Sequence, residues 1–195
     1  MLTLMTQTTP APPPFLSGQF LLSMPGMGDE RFSRAVIAMC AHDDESALGI
    51  VINHVRGDVD ARGLMDQLDI DHSGMDDAPV YAGGPVEPQR GFVLHSTDYE
   101  GQGTLNVAGR WALTATLDIL RDIGAGNGPA QWLIALGYTG WGEGQLEREL
   151  TQHGWMSVDG DGGIMWNTHV ADRWPRAFES AGIDVSLLSA TSGRA

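Results

Sequence analysis

The chain has 195 residues, a formal net charge of −14 and 42% hydrophobic residues, and all 11 of its basic side chains are arginine. That apolar share is too large for a disordered acidic chain. A single cysteine cannot build an internal disulfide framework, and no apolar run reaches the ~18 residues of a membrane span. The acidic excess opposes nucleic acid, whose affinity rests on neutralised phosphates. The absence of lysine removes Schiff-base and phosphate-loop chemistries that depend on it, and points to the GC-rich coding bias of many bacteria.

A chain of this length is expected to fold as one domain, burying roughly 70% of its extended surface. Residues 1–14 are polar and Pro-rich with no basic n-region, so they read as a disordered or extended tail, not a secretory signal. Residues 189–195 read as a flexible C-terminal tail, which leaves 15–188 as the single domain. Residues 18–24 form a short apolar run ending in a Pro/Gly turn. Two apolar stretches, 35–42 and 47–53, flank the acidic turn 43–46, a hairpin pattern. Leu64, Met65 and Leu68 have helical spacing over 61–68, and 80–82 and 91–96 read as strands around a Gly/Pro loop.

In the second half, Leu113, Leu117 and Leu120 fall at i, i+4, i+7, which predicts an amphipathic helix over 111–123. Residues 131–138 read as a buried strand and 143–153 as a helix stopped by Gly154. A hairpin is expected from 155–158 and 164–166 around Asp159-Gly160-Asp161-Gly162-Gly163, then a helix over 171–181 with Pro175 at a break or first turn. Hairpins mixed with helices indicate an α+β protein.

Several segments carry polar groups at suggestive spacings. Gly137-Tyr138-Thr139-Gly140-Trp141-Gly142-Glu143-Gly144 leads from strand to helix, where glycines and free amides can cradle an anion. It lacks the Lys-Ser/Thr ending of a phosphate loop, so a tight Trp-anchored connection is the plainer reading. In the segment from Gly83 to Arg90, Arg90 is a fork donor suited to carboxylate or phosphate, or a partner for Glu87. Period two places His95 opposite Phe92 and Leu94. It also puts Cys40 and His42 on one strand face, ~6.6 Å apart by rise alone, too far for direct proton transfer. Asp69-Ile70-Asp71-His72-Ser73-Gly74 begins like a calcium loop but has Val80 where the bidentate glutamate belongs. No zinc spacing, nucleophile elbow or complete dinucleotide fingerprint occurs, so no metal, cofactor or catalytic residue is assigned.

In order along the chain, Gly18-Gln19-Phe20-Leu21-Leu22-Ser23-Met24-Pro25, Phe32-Ser33-Arg34-Ala35-Val36-Ile37 and Leu48-Gly49-Ile50-Val51-Ile52-Asn53 resemble the YqgE/AlgH family of bacterial proteins. So do Gly83-Gly84-Pro85-Val86 with Arg90-Gly91-Phe92-Val93-Leu94-His95-Ser96, and the block from Gly137 to Gly142 with Gly144-Gln145-Leu146-Glu147. The resemblance implies an α+β fold, a branched mixed β-sheet with barrel character surrounded by helices, and a cytoplasmic location. It implies no reaction and supplies no catalytic residues, though members are often labelled transcriptional regulators. Where the family usually has Cys-Glu-His, this chain has Cys40-Ala41-His42.

The leading expectation is a regulatory or interaction module with a protein partner, no direct nucleic-acid contact and no membrane contact; enzyme activity is not expected. The rival is a small-molecule-binding protein or enzyme using a cleft between the two Gly-rich segments. Its candidate residues are Asn53, Arg90, His95, Trp141, Gln145 and Glu147. There Arg90 would clamp a small anionic ligand while His95 or Glu147 handles protons.

Overall fold

Alternation of apolar residues along the first segments produces a meander, and the helices cover what it leaves bare. The computed structural model describes residues 15–188; the expected tails, 1–14 and 189–195, lie outside them. In chain order the elements are β1 (Gln19–Ser23), β2 (Val36–His42), β3 (Ser46–Val51), β4 (Val55–Asp60), α1 (Ala61–Gln67), β5 (Pro79–Ala82) and β6 (Val86–His95). They continue as β7 (Leu105–Val107), β8 (Trp111–Thr114), α2 (Leu117–Gly124), β9 (Trp132–Gly142), α3 (Gln145–Thr151), β10 (Trp155–Asp159) and α4 (Arg173–Ser180). Short 3-10 turns and a π-helical turn, Gly163–Asn167, complete the described chain.

The strands form one curled half-barrel sheet in the order β10-β1-β2-β3-β9-β6-β8-β7. β9 is its hub. Its first half lies between antiparallel β6 and parallel β5, and its second half pairs antiparallel with β3, so the sheet branches there. Local chemistry closes the β2–β3 hairpin: Asp43 Oδ1 accepts from the amides of Glu45 and Ser46. Asp60 caps α1 by accepting from Gly63 N at 2.7 Å.

Successive β1 residues feed opposite layers. Phe20 and Leu22 enter the inner core with Ile50, Leu94, Trp111 and, from α4, Phe178. Leu21 faces outward against Ile37, Met39 and Val51, under Trp141 and Leu146. A third layer packs Met65 of α1 and Ile119 and Ile123 of α2 on Val80, Val93 and Ile134. The architecture is therefore a single mixed α+β domain, as the sequence indicates.

Four local expectations are corrected. Residues 111–114 are strand β8, and the helix begins only at Leu117. The leucine spacing was coincidental, because Leu113 belongs to the inner core, Leu120 to the α1/α2 layer, and Leu117 is exposed. The Gly-rich block from 137 to 142 is the second half of β9, not a loop, and the presumed Gly/Pro loop is strand from Val86 onward. Residues 164–166 lie in the π-helical turn while β10 pairs with β1, so no hairpin forms there. Asp161 Oδ1 starts that turn by accepting from Gly163 N. No expectation covered β4 and β7, whose mostly exposed, polar edge sequences have no apolar alternation to announce them. Among the described residues, no helix is long and apolar enough to cross a membrane.

Candidate functional site

The two Gly-rich segments do meet, and they meet backbone to backbone. Gly83 N donates to Leu136 O, while Gly83 O accepts from Val51 N and from Thr139 Oγ1. A Cβ at Gly83 would strike the Gly137 carbonyl oxygen, and one at Gly84 would strike the Tyr138 carbonyl. Gly137 also has φ +78°, a left-handed conformation that marks the register shift between β6 and β9. These glycines are required by close approach of two strands.

Beside the seam opens a cleft of ≈ 400 Å³ bordered by Pro85, Thr139, Trp141, Gln145 and Trp155. Its centre is a carboxylate that sequence reasoning missed. Glu149 Oε2 accepts from the indole N–H of Trp141 and of Trp155, each at 2.9 Å, and its Oε1 accepts from Gln145 Nε2. Gln145 Oε1 in turn accepts from Gly142 N. The available signal was helical: Gln145 and Glu149 are i, i+4 on α3, directly after a Trp-bearing strand and before another.

The remaining candidates lie elsewhere. Glu147 accepts from His42 Nε2 at 2.7 Å, and His42 Nδ1 accepts from Leu16 N, which fixes the ring's tautomer. A bulge at Cys40 separates the expected pair: Cys40 enters the inner core, and burial pushes its thiol up to about 12. Arg90 is exposed, 3.0 Å from Glu87 and over the Phe92 ring. His95 is fully buried. Its Nδ1–H donates to Ser96 O and its Nε2 accepts from Thr114 Oγ1, which accepts in turn from Thr104. Burial holds the His95 imidazole below its usual range. Asn53 bridges backbone, accepting from Val36 N and donating to Arg34 O. Thus Trp141 and Gln145 share a cleft, while Asn53, Arg90, His95 and Glu147 occupy four other surroundings.

A second, larger cleft of ≈ 700 Å³ lies across the Met24–Met27 turn, and Asn53 and His54 are on its wall. Trp174, Pro175 and Val185 give it an apolar side, and Arg34 lies over the Trp174 ring at 5.4 Å. Arg34 was quoted in a matching block but not weighed as a site; its left-handed φ of 51° is invisible in the sequence.

Fold and site together define a half-barrel α+β domain whose motif residues chiefly brace strand, turn and helix junctions. The chain belongs to the AlgH-like family (DUF179), whose model matches residues 20–186. It is similar to UPF0301 proteins of Rhizorhabdus wittichii and Sphingopyxis alaskensis, 53% and 49% identical over 94% of this chain and 98% of each relative. The solution structure of AlgH from Pseudomonas aeruginosa matches 98% of this chain and 100% of its own, with TM-score 0.77 and 36% identity. A Corynebacterium diphtheriae crystal structure, 16% identical over 93% of this chain and 94% of its own, shares the fold at TM-score 0.74.

Proposed function

We propose that the protein is a cytoplasmic regulatory or interaction module that works through contacts with another protein and does not grip DNA. The observation that carries this reading is the disposition of its cations. Arg31, Arg56, Arg90, Arg110, Arg121 and Arg176 each lie within 4.0 Å of an Asp or Glu oxygen. Arg173 is buried, donating to the carbonyls of Thr168 and Ile52. On a chain of net charge −14, that leaves no stripe of free cations among the described residues along which a phosphate backbone could lie. Most of the polar motif side chains, moreover, such as Asn53, His95, Trp141, Gln145 and Glu147, are held by hydrogen-bond partners instead of being presented as a reacting set.

Two measurements test the proposal. Fluorescence anisotropy with labelled duplex DNA at physiological ionic strength is expected to stay flat, and tight, salt-sensitive binding would overturn the DNA clause. Sedimentation of the tagged protein in fresh bacterial extract is expected to place it in a heavier species than the same protein purified. Identical sedimentation in both would count against a stable partner.

A further inference from the structure

The larger cleft has an electrostatic character opposite to that of the molecule. The chain carries 25 acidic residues, yet among the described residues neither Asp nor Glu lines this ≈ 700 Å³ space. Asp184 borders the wall, its carboxylate accepting from the amide and hydroxyl of the lining residue Ser186. The charged side chain that does line the cleft is Arg34, together with the imidazole of His54. Among the described residues the Arg34 guanidinium has no hydrogen-bond acceptor or carboxylate partner; its contact is the face of Trp174. Trp174 is itself fixed, because its indole N–H donates to Ser23 O at 3.0 Å.

The backbone beneath Arg34 is held with unusual thoroughness. Arg34 has φ 51°, a left-handed conformation that is unfavourable for a non-glycine residue. Asn53 Nδ2 donates to Arg34 O at 2.7 Å, Asn53 Oδ1 accepts from Val36 N at 2.8 Å, and His54 Nε2 donates to Ser33 O at 2.9 Å. Three side-chain bonds from the connection between β3 and β4 thus clamp a strained turn whose outward product is one uncommitted guanidinium on an aromatic floor. Its volume falls within the ~300–1,000 Å³ of small-molecule sites, which pair an apolar lining with a few converging polar groups.

We infer that this cleft binds a carboxylate borne on an apolar body, with the carboxylate on Arg34 and the body against Trp174, Val170 and Val185. A planar guanidinium with free N–H groups matches a carboxylate by paired, charge-assisted hydrogen bonds. With no carboxylate in the described lining, and the neighbouring Asp184 engaged by Ser186, such a ligand meets less repulsion there than over the acidic surface. Two sources present this chemistry, a free apolar acid and the C-terminus of a peptide ending in an apolar residue. The site is separate from the protein-contact reading above, and neither depends on the other.

The test uses the full chain and two matched probe pairs: 2-naphthoate with 2-naphthamide, and acetyl-Leu-Phe with its C-terminal amide. Titration is followed by NMR at the indole of Trp174 and the methyls of Met24 and Met27. At least one acid is expected to bind saturably, moving those signals, with about tenfold or greater preference over its amide. Arg34→Gln should abolish that preference, Arg34→Lys should retain part of it, and Arg121→Gln, a surface change at the Asp118 pair, should leave it intact. The amide spectrum of each variant reports whether it is folded, and Arg34→Lys carries the test if Arg34→Gln is not. Preference for the naphthoate assigns a free acid, and preference for the peptide acid assigns a C-terminus. Equal binding of acid and amide, shifts centred on Trp141 and Trp155, an acid preference that survives in folded Arg34→Gln, or no saturable binding by either acid would overturn the inference.

Discussion

Two clefts flank the Met24–Met27 turn, and Met27 borders both. Each is walled by tryptophan and built from motif residues, but their polar groups are used in opposite ways. In the smaller, Glu149 takes both indole N–H groups and Gln145, and Arg31 at the rim is paired with Asp29 at 2.7 Å. That pairing holds the Asp29 carboxyl below the usual carboxylate range. In the larger, hydrogen bonds converge on the backbone under Arg34 and leave its guanidinium to solvent and Trp174. A polar side chain in a family motif is therefore no guide to function until its partners are counted. The saturated cleft is an internal brace; the unsaturated one has something left to offer a ligand.

The strongest way to break this contrast is to remove the brace. Glu149→Ala would leave the N–H groups of Trp141 and Trp155, both buried side chains, without an acceptor. Each orphaned buried donor costs about 1–3 kcal/mol, so a loss of about 3 kcal/mol in urea unfolding is expected. Glu149→Gln keeps an acceptor oxygen and should lose roughly a third as much. If Glu149→Ala is as stable as the parent protein, the carboxylate is not structural and the smaller cleft becomes the better site. A smaller effect is expected at the other cleft. Asn53→Ala strips one acceptor from Val36 N, at a buried residue, and one donor from Arg34 O, at an exposed one, for about 1–2 kcal/mol. Hydrogen exchange should quicken at the Val36 amide before it does in β9. Unchanged exchange there would free Asn53 from its bracing role and return it to the candidates for direct contact.

How far the sequence discloses this depends on the range of the interaction. The β2–β3 hairpin was legible because Asp43, Glu45 and Ser46 bond within four residues of one another. α1 was legible from the local spacing of Leu64, Met65 and Leu68, and its Asp60 cap on Gly63 is equally local. The glycines at 83, 84 and 137 were visible as glycines, but their purpose was not, since it arises from contact between segments more than 50 residues apart. His42 with Glu147, and Asn53 with Arg34, are long-range pairs of the same kind. β8 failed for a different reason. A continuous apolar run, Trp111-Ala112-Leu113, carries no period of its own, so leucines beyond it supplied a false one. The family blocks nevertheless located Arg34, Asn53, Trp141 and Gln145, all of which border the two clefts. They could not say which residues were spoken for.

The finest test of saturation against availability lies at His95, where a closed network should register as a pH dependence. The carbonyl of Ser96 can only accept, so Nδ1 carries the proton and Nε2 must accept from the Thr114 hydroxyl. Thr104 Oγ1 then donates to Thr114 and itself accepts from Gly101 N, giving a chain with one consistent direction. Protonating Nε2 reverses that chain inside a fully buried site, and burial accordingly lowers the His95 pKa from 6.5. The unfolded chain, with the ordinary value, binds the proton first as pH falls. Stability contributed by neutral His95 is thus fully present above about pH 6.5 and declines as pH drops through that value toward the lower folded pKa. His95→Gln, which can still accept from Thr114, should be somewhat less stable at neutral pH but flatter across this window, converging with the parent protein on acidification. Urea midpoints at neutral pH and about one unit below the ordinary histidine value separate the possibilities. If both proteins lose stability in parallel, His95 exchanges its proton as freely in the fold as outside it. The network around it would then carry no pH dependence of its own, and the contrast with Arg34 would rest on Glu149 alone.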